Sequence, residues 1–141
     1  MNGNRKHIKP RLLIVEDDTE NQKYFELILN KTYELDYCES SISFYNLLAD
    51  HNYSAIIMDI MLKGDKSGLD LIREIKRSVL YKDLPVLALS ANVFSQDRAK
   101  ALDAGADVYL TKPVNNRTLM SWLEKLINHQ SNHKKRNNQQ F

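Results

Sequence analysis

The chain has one cysteine, no long apolar run and no glycine-rich loop after its first predicted strand. The single cysteine, Cys38, excludes an internal disulfide and a cysteine-based metal cluster, and we expect it to be a small core residue in a strand. No apolar run approaches the roughly 20 residues of a membrane span, and the basic N-terminus lacks the apolar segment of a signal peptide. With a length of 141 residues, these absences predict one cytoplasmic domain.

The net charge of +2 at pH 7 is unevenly distributed. Residues 1–11 carry four basic side chains and no acidic one, residues 129–141 carry three and none, and the stretch between them therefore carries a net charge of −5. Because a mildly acidic body has basic ends, we expect no direct contact with nucleic acid or a membrane. We predict disordered polar segments at residues 1–10 and 129–141, on either side of a domain at residues 11–128.

An apolar stretch that ends in a carboxylate is the most informative segment. Residues 55–58 have no polar side chain, which is typical of a strand buried on both faces of a parallel sheet, and Asp59 follows them. Burying a charge is costly, so Asp59 should lie where the strand emerges, and open parallel sheets bind ligands at the carboxyl ends of their strands. On its own, an aspartate in this position is more often a turn former or a helix cap.

Strand and helix patterns alternate along the chain. Strands are predicted at residues 11–15, 33–39, 55–59, 84–90 and 107–113, and helices at 19–31, 41–51, 69–79, 95–103 and 116–128. The second strand alternates apolar and acidic residues, which places it near a sheet edge. In the last helix we expect Leu119, Trp122 and Leu123 to face the core. Five strands that alternate with five helices require parallel pairing and right-handed crossovers, which is a doubly wound α/β fold.

Polar side chains end four of the five predicted strands, at Glu16 and Asp17, Asp59, Ser90 and Lys112. All of these ends belong at the same edge of a parallel sheet, so helix caps alone do not account for them. Three carboxylates at one edge repel each other and need a cation, and oxygen ligands without histidine or cysteine select Mg²⁺ or Mn²⁺. We expect Asp17 and Asp59 to bind the metal directly and Glu16 to orient a bound water.

These residue types suit phosphoryl transfer. A carboxylate can attack phosphorus and form an aspartyl phosphate, and Asp59 is the candidate nucleophile. The metal would neutralise charge on the transferring group. Lys112 would supply a second cation, and the Ser90 hydroxyl would bind another phosphoryl oxygen.

Four short motifs occur in order along the chain: LLIVEDD at residues 12–18, IMD at 57–59, PVLALSA at 85–91 and GADVYLTKP at 105–113. In this order and spacing they resemble the CheY-like receiver domain of two-component response regulators, over roughly residues 10–128. The motifs of the fourth and fifth strands are most similar to those of hybrid histidine kinase receivers. The resemblance implies a flavodoxin-like sheet of five parallel strands in the order 2-1-3-4-5.

The resemblance also implies a role for each site residue. Asp59 would accept a phosphoryl group from a sensor histidine kinase or a histidine phosphotransfer protein. Glu16 and Asp17 would form the acidic metal pair, with the backbone carbonyl of Met61 as the third protein ligand. Lys112 would contact the phosphoryl group, and its peptide bond to the following proline would be cis.

A conformational switch is implied as well. Ser90 would be the switch hydroxyl and Tyr109 the switch aromatic, although Tyr109 is also consistent with a plain core residue. A downstream protein would bind the face formed by the fourth helix, the fifth strand and the fifth helix, and the same face could support a phosphorylation-dependent dimer. The protein would not be an enzyme beyond its own phosphorylation and dephosphorylation.

Two features depart from the family pattern. The loop after Asp59 reaches Gly68 one residue late and lacks the usual proline at Leu62 or Lys63, which leaves its shape open. Ser90 replaces a more frequent threonine and keeps the hydroxyl.

Two other functions fit the fold less well. A Mg²⁺-dependent phosphohydrolase with an aspartyl nucleophile usually has a second aspartate two residues later, where this chain has Met61. A flavin-binding flavodoxin needs a phosphate-binding loop after the first strand, and the chain has none there. We therefore expect a receiver domain, either a single-domain regulator or a piece of a hybrid kinase.

Overall fold

The computed structural model describes residues 8–91 and 95–139. Its strands are β1 (Arg11–Val15), β2 (Glu34–Cys38), β3 (Ala55–Asp59), β4 (Val86–Ser90) and β5 (Val108–Thr111). Its helices are α1 (Thr19–Leu29), α2 (Ser41–Asp50), α3 (Gly68–Lys76), α4 (Ser95–Ala104) and α5 (Asn116–Gln139). Neighbouring strands pair in parallel, in the order β2-β1-β3-β4-β5. The predicted doubly wound fold and its strand order are confirmed.

The central strands are apolar because helices cover both faces of the sheet. Every residue of β3 and β4 is buried. Successive residues belong to two different apolar clusters, so that Ile56 lies in one with Phe44 of α2, and Ile57 lies in the other with Phe25 of α1. Each such side chain stabilises the fold by about 1.5–3 kcal/mol when it is fully buried. The continuous apolar runs of the sequence are therefore explained by burial of these strands on both faces of the sheet.

The edge strand β2 has a different pattern, as predicted. Within the described part of the chain it pairs with β1 alone, and it is half-exposed over most of its length. Its last residue, Cys38, is buried, with 4% of its surface exposed, which confirms the expected core position.

Strand register brings the polar strand ends to one edge of the sheet. Val15 pairs with Met58, so Glu16 follows beside Asp59. Ser90 pairs with Thr111, and Lys112 is the next residue. At this edge, the connection that leaves β1 runs to one side of the sheet and the connection that leaves β3 runs to the other. Topological switch points of this kind form crevices in open α/β sheets.

Two helix ends follow from their cap residues. Asp18 is the N-cap of α1 and its side chain accepts a hydrogen bond from the Glu20 N–H at 3.0 Å. At the end of α4, Gly105 has a φ of +114°. Its N–H donates to the Leu102 carbonyl at 3.0 Å, while the N–H of Ala106 donates to the Ala101 carbonyl at 3.0 Å. This pair of hydrogen bonds forms a Schellman motif, in which glycine is favoured at the residue with positive φ.

The structure corrects three predictions at the helices. Helix α5 continues to Gln139 rather than ending at residue 128, so the predicted disordered tail does not hold over residues 129–139; neither glycine nor proline interrupts this stretch. Trp122 is 37% exposed rather than inward, with the Lys125 ammonium 4.9 Å from its ring centre. Helix α3 ends at Lys76, which leaves Val79 86% exposed.

Residues 1–7 of the predicted disordered N-terminal segment lie outside the described part of the chain, as do residues 140 and 141. None of the helices in the part that is described is both long and apolar enough to cross a membrane.

Candidate functional site

Three carboxylates converge at the carboxyl edge of the sheet. Oxygen atoms of Glu16, Asp17 and Asp59 all lie within 4.8 Å of one another. Glu16 is 1% exposed and Asp59 is 5% exposed, whereas Asp17 is half-buried. Glu16 directly follows β1 and Asp59 is the last residue of β3, so the sheet itself holds both backbones in place. Among the described residues, this is the one group of acidic, histidine or cysteine side chains with metal-ligand spacing.

Lys112 supplies the positive charge that faces this cluster. Its Nζ lies 2.8 Å from Glu16 Oε1 and 3.3 Å from Asp59 Oδ2. One ammonium opposes three carboxylates, so a net charge of −2 remains at the edge of the sheet. That charge and the oxygen-only donor set fit a hard divalent cation such as Mg²⁺.

Burial and the neighbouring charges shift two pKa values in the cluster. Burial raises the pKa of Glu16, and the negative charge of Asp59 adds to this effect, while the hydrogen bond from Lys112 opposes it. Burial acts to lower the pKa of Lys112, but the hydrogen bond to Glu16 and the nearby carboxylates outweigh it, and the pKa is raised. The lysine therefore stays protonated and remains a cation at the site.

Backbone N–H groups of the loop after β3 orient two of the carboxylates. The Met61 N–H donates to Asp59 Oδ1 at 2.9 Å, and the Lys63 N–H donates to Asp17 Oδ2 at 3.3 Å. Met61 is 57% exposed and lines the open cleft of about 540 Å³ that the three carboxylates and Lys112 also line. The Met61 backbone thus lies beside the cluster, where the family resemblance implies a metal-binding carbonyl.

The longer loop is closed by local turns and a polar contact. Gly64 has a φ of +119°, in the region that favours glycine, and Ser67 forms a capping box at the start of α3. Lys66 pairs with Glu74 of α3 at 2.9 Å, and Glu74 also accepts a hydrogen bond from the Tyr45 hydroxyl. These contacts lower the pKa of Glu74, the Tyr45 bond most and the Lys66 bond next. These contacts close the loop, and the three carboxylates lie within 4.8 Å of one another beside it.

Gly68 allows α3 to begin directly against the end of β3. A Cβ atom at this position would lie 2.3 Å from the Asp59 carbonyl oxygen and 2.6 Å from the Ile60 Cα. Both neighbours are backbone atoms, so neither can move aside cheaply. A side chain at position 68 would therefore push on the segment that carries Asp59.

Ser90 and Tyr109 lie on one face of the sheet, on neighbouring strands. Tyr109 pairs with Ala88, two residues before Ser90, and is half-buried against the cluster that also contains Ala101 of α4. Ser90 is fully buried. Ser90, at the cleft edge, and Tyr109 thus lie on the face of the sheet that α4 covers. The Lys112–Pro113 peptide is cis, as predicted.

Two residues of α1 that were not predicted as site residues also contact Glu16. The Asn21 side-chain amide donates to Glu16 Oε1 at 3.1 Å, and the Gln22 amide donates to the Glu16 carbonyl oxygen at 2.6 Å. Polar residues in the first turns of a helix normally indicate a solvated face, and no motif in the sequence distinguishes these two. Their role depends on the angle at which α1 leaves the sheet edge.

Comparison with known proteins points in one direction. The profile of the response regulator receiver domain matches residues 12–124. The chain is 33% identical over 118 residues to the regulatory protein VanRB of Enterococcus faecalis, an alignment that covers 83% of this chain and 52% of that protein. The chain spans about half the length of the curated relatives it matches.

Solved structures agree with this assignment. The receiver domain of the sensor histidine kinase PA1611 from Pseudomonas aeruginosa PAO1 aligns with a TM-score of 0.77 and 30% identity, over 85% of this chain and 98% of that chain. That crystal structure has a magnesium ion coordinated in its active site cleft. A CheY-like receiver domain protein from Methanospirillum hungatei aligns with a TM-score of 0.79 and 25% identity, over 89% of this chain and 98% of that chain.

Proposed function

Because the chain belongs to the response regulator receiver domain family, we propose that it is a phosphoacceptor module in which Asp59 takes a phosphoryl group from a phosphohistidine donor. The observation that carries the proposal is the position of Asp59. It is buried at the carboxyl end of the central strand, 3.3 Å from the Lys112 ammonium and within 4.8 Å of two further carboxylates. A carboxylate in this setting is held in one orientation and opens onto a cleft.

The reaction moves one phosphoryl group between two proteins. An Asp59 carboxylate oxygen attacks phosphorus, the new P–O bond forms, the P–N bond to the donor histidine breaks, and the imidazole leaves with that electron pair. Lys112 balances charge on the phosphoryl oxygens, and the N–H of Met61 holds the other Asp59 oxygen during the attack. Hydrolysis reverses the modification when water attacks phosphorus and inorganic phosphate leaves.

The acidic cluster fits a resident Mg²⁺ or Mn²⁺. Asp17, Asp59 and the Met61 carbonyl would bind the ion, and Glu16 would hold one of its waters. When bound, the ion neutralises charge on the transferring phosphoryl group. Asp17 and Glu16 contribute the negative charge that would hold the ion beside Asp59.

The donor would approach along a groove next to the cleft. Tyr24, Phe25, Pro113 and Val114 line a groove of about 510 Å³ that Lys112 also borders. Apolar side chains next to a charged site are suited to hold a partner while the reacting groups align. A sensor histidine kinase or histidine phosphotransfer protein is the expected donor.

Phosphorylation of Asp59 would be transmitted to a partner through Ser90 and Tyr109. A phosphoryl group on Asp59 gains a hydrogen bond if Ser90 moves toward it, and this movement opens space into which Tyr109 can rotate. The face of α4, β5 and α5 would then differ between the two states, and a downstream protein or a second copy that prefers one state would shift the populations. Typical coupling of this kind is about 1–3 kcal/mol.

The protein would act on itself and not as a turnover enzyme. The position two residues after Asp59 is Met61, which cannot transfer a proton, so hydrolysis of the aspartyl phosphate should be slow. This separates the proposal from a Mg²⁺-dependent aspartyl phosphohydrolase, which would release phosphate many times per chain.

Acetyl phosphate and Mg²⁺ test the proposal directly. Intact mass should show one added phosphoryl group on the wild type and none on Asp59→Asn, while Asp65→Asn, a matched change in the exposed loop, should label normally. Equal labelling of Asp59→Asn would refute the assignment of the nucleophile. Rapid, repeated phosphate release by the wild type would favour the phosphohydrolase.

A further inference from the structure

Glu16 accepts hydrogen bonds from three protein groups through its carboxylate and from a fourth through its carbonyl oxygen. Its Oε1 accepts bonds from Lys112 Nζ at 2.8 Å and from the Asn21 amide at 3.1 Å, and its Oε2 accepts the Asp18 N–H at 3.2 Å. Gln22 holds the Glu16 carbonyl. The side chain is 2% exposed, so these protein groups provide most of its solvation.

Lys112 has two competing partners in this arrangement. Its ammonium lies closer to Glu16 than to Asp59, at 2.8 Å against 3.3 Å. If Asp59 becomes phosphorylated, the same ammonium is needed at the phosphoryl oxygens, and Glu16 Oε1 loses its charged donor. A buried acceptor that loses its partner carries a large desolvation cost, and the cost is higher when the acceptor is charged.

We propose that Asn21 is a positioning residue that keeps Glu16 Oε1 hydrogen-bonded when Lys112 turns to the phosphoryl group. The inference rests on the proposed function, because it concerns the lysine of that same site. The Asn21 amide donates to the same oxygen as the lysine, so this buried oxygen keeps a hydrogen-bond donor when Lys112 moves away. The hydrogen bond of the Asn21 amide goes to Glu16 Oε1, so we expect Asn21 to act through Glu16.

Binding of beryllofluoride, a phosphoryl mimic, separates this role from a purely structural one. In Asn21→Ala, Oε1 keeps Lys112 as its side-chain donor and resists its release. The affinity for beryllofluoride at saturating Mg²⁺ should therefore fall at least about tenfold, which is the lower end of the effect of one hydrogen bond to a charged group. The Mg²⁺ affinity measured without beryllofluoride should stay within about twofold of wild type, because Asn21 is not a metal ligand.

Two more variants complete the experiment. Asn21→Asp has the same size, removes the donor and should weaken beryllofluoride binding at least as much as alanine does. Asn46→Ala makes the same chemical change at an exposed position of α2 and should match the wild type. Thermal unfolding of each variant checks that it is folded.

The contrary results are distinct. If both Asn21 variants bind beryllofluoride as the wild type does, the inference is wrong. If the affinities for Mg²⁺ and beryllofluoride weaken together, Asn21 only orients Glu16 toward the metal site, and its proposed role in the movement of Lys112 is wrong. If the wild type binds no beryllofluoride and takes no phosphoryl group, the proposed function itself fails, and the inference fails with it.

Discussion

Replacing Asp17 with Asn should make the protein more stable without Mg²⁺ and nearly insensitive to its addition. The three carboxylates have oxygens within 4.8 Å of one another. At that separation, two unit charges repel by about 3.5 kcal/mol at an effective dielectric constant of about 20. Solvent at the half-buried Asp17 and the Lys112 ammonium reduce this repulsion, so we expect the variant to gain about 1 kcal/mol in free energy of unfolding.

Mg²⁺ should reverse this order of stability. At 100 times its dissociation constant, Mg²⁺ stabilises the wild type by about 2.7 kcal/mol, because it binds the folded site and hardly the unfolded chain. The variant lacks one direct ligand and should gain little. The two stability curves should therefore cross where the wild-type gain reaches about 1 kcal/mol, at roughly four to five times the dissociation constant. For a domain of this size, 1 kcal/mol corresponds to about 3–4 °C in melting temperature.

Urea unfolding in a chelator and along a Mg²⁺ titration measures both effects. Asp18→Asn is the matched control, because it removes a carboxylate one residue away, and asparagine still caps α1. This control should keep most of the Mg²⁺ response. A full Mg²⁺ response in Asp17→Asn would show that Asp17 is not a ligand. A loss of stability in the chelator would show that carboxylate repulsion does not dominate the empty cluster.

Two further predictions concern the segments around the site. In Gly68→Ala the new Cβ meets the Asp59 carbonyl oxygen at 2.3 Å. The variant should therefore be less stable by about 1–3 kcal/mol in urea unfolding, despite the better helix propensity of alanine, and acetyl phosphate should label its Asp59 more slowly. Wild-type stability would contradict the close approach. Ser90→Ala should keep Mg²⁺ binding but lose the change in amide exchange that beryllofluoride causes around Tyr109 and residues 96–103. An unaltered response in this variant would mean that Ser90 does not carry the coupling.

Much of the fold follows from short-range patterns. The strands β3 and β4 are recognisable because residues buried on both faces of a sheet must all be apolar, and such runs differ from the one-sided pattern of helices. Asp59 and Lys112 were predicted to meet because parallel strands bring their carboxyl ends to one edge. Helix ends were less accurate: α5 continues to Gln139, since no strong stop signal separates its apolar first half from its polar second half.

The direction of a single helix residue was harder to predict. Trp122 fits an inward position by its spacing, yet it is 37% exposed, because the width of the face that α5 buries depends on how the helix lies across the sheet. The loop after Asp59 was likewise open from the sequence. The contact of Lys66 with Glu74 and Tyr45 closes it, and this contact joins α2 and α3, whose relative position no local pattern specifies.

The amino-acid order alone predicts which side chains end the strands, and so which chemistry gathers at the sheet edge. Packing decides the hydrogen bonds among them. Glu16 and Asn21 are five positions apart, a spacing with no meaning within one helix, and they meet because α1 turns back over the edge after β1. The bond between Lys112 and Glu16 spans 96 positions and forms only once β5 has paired with β4. Such contacts depend on distances between whole elements, which are set by the packed core and not by any one segment.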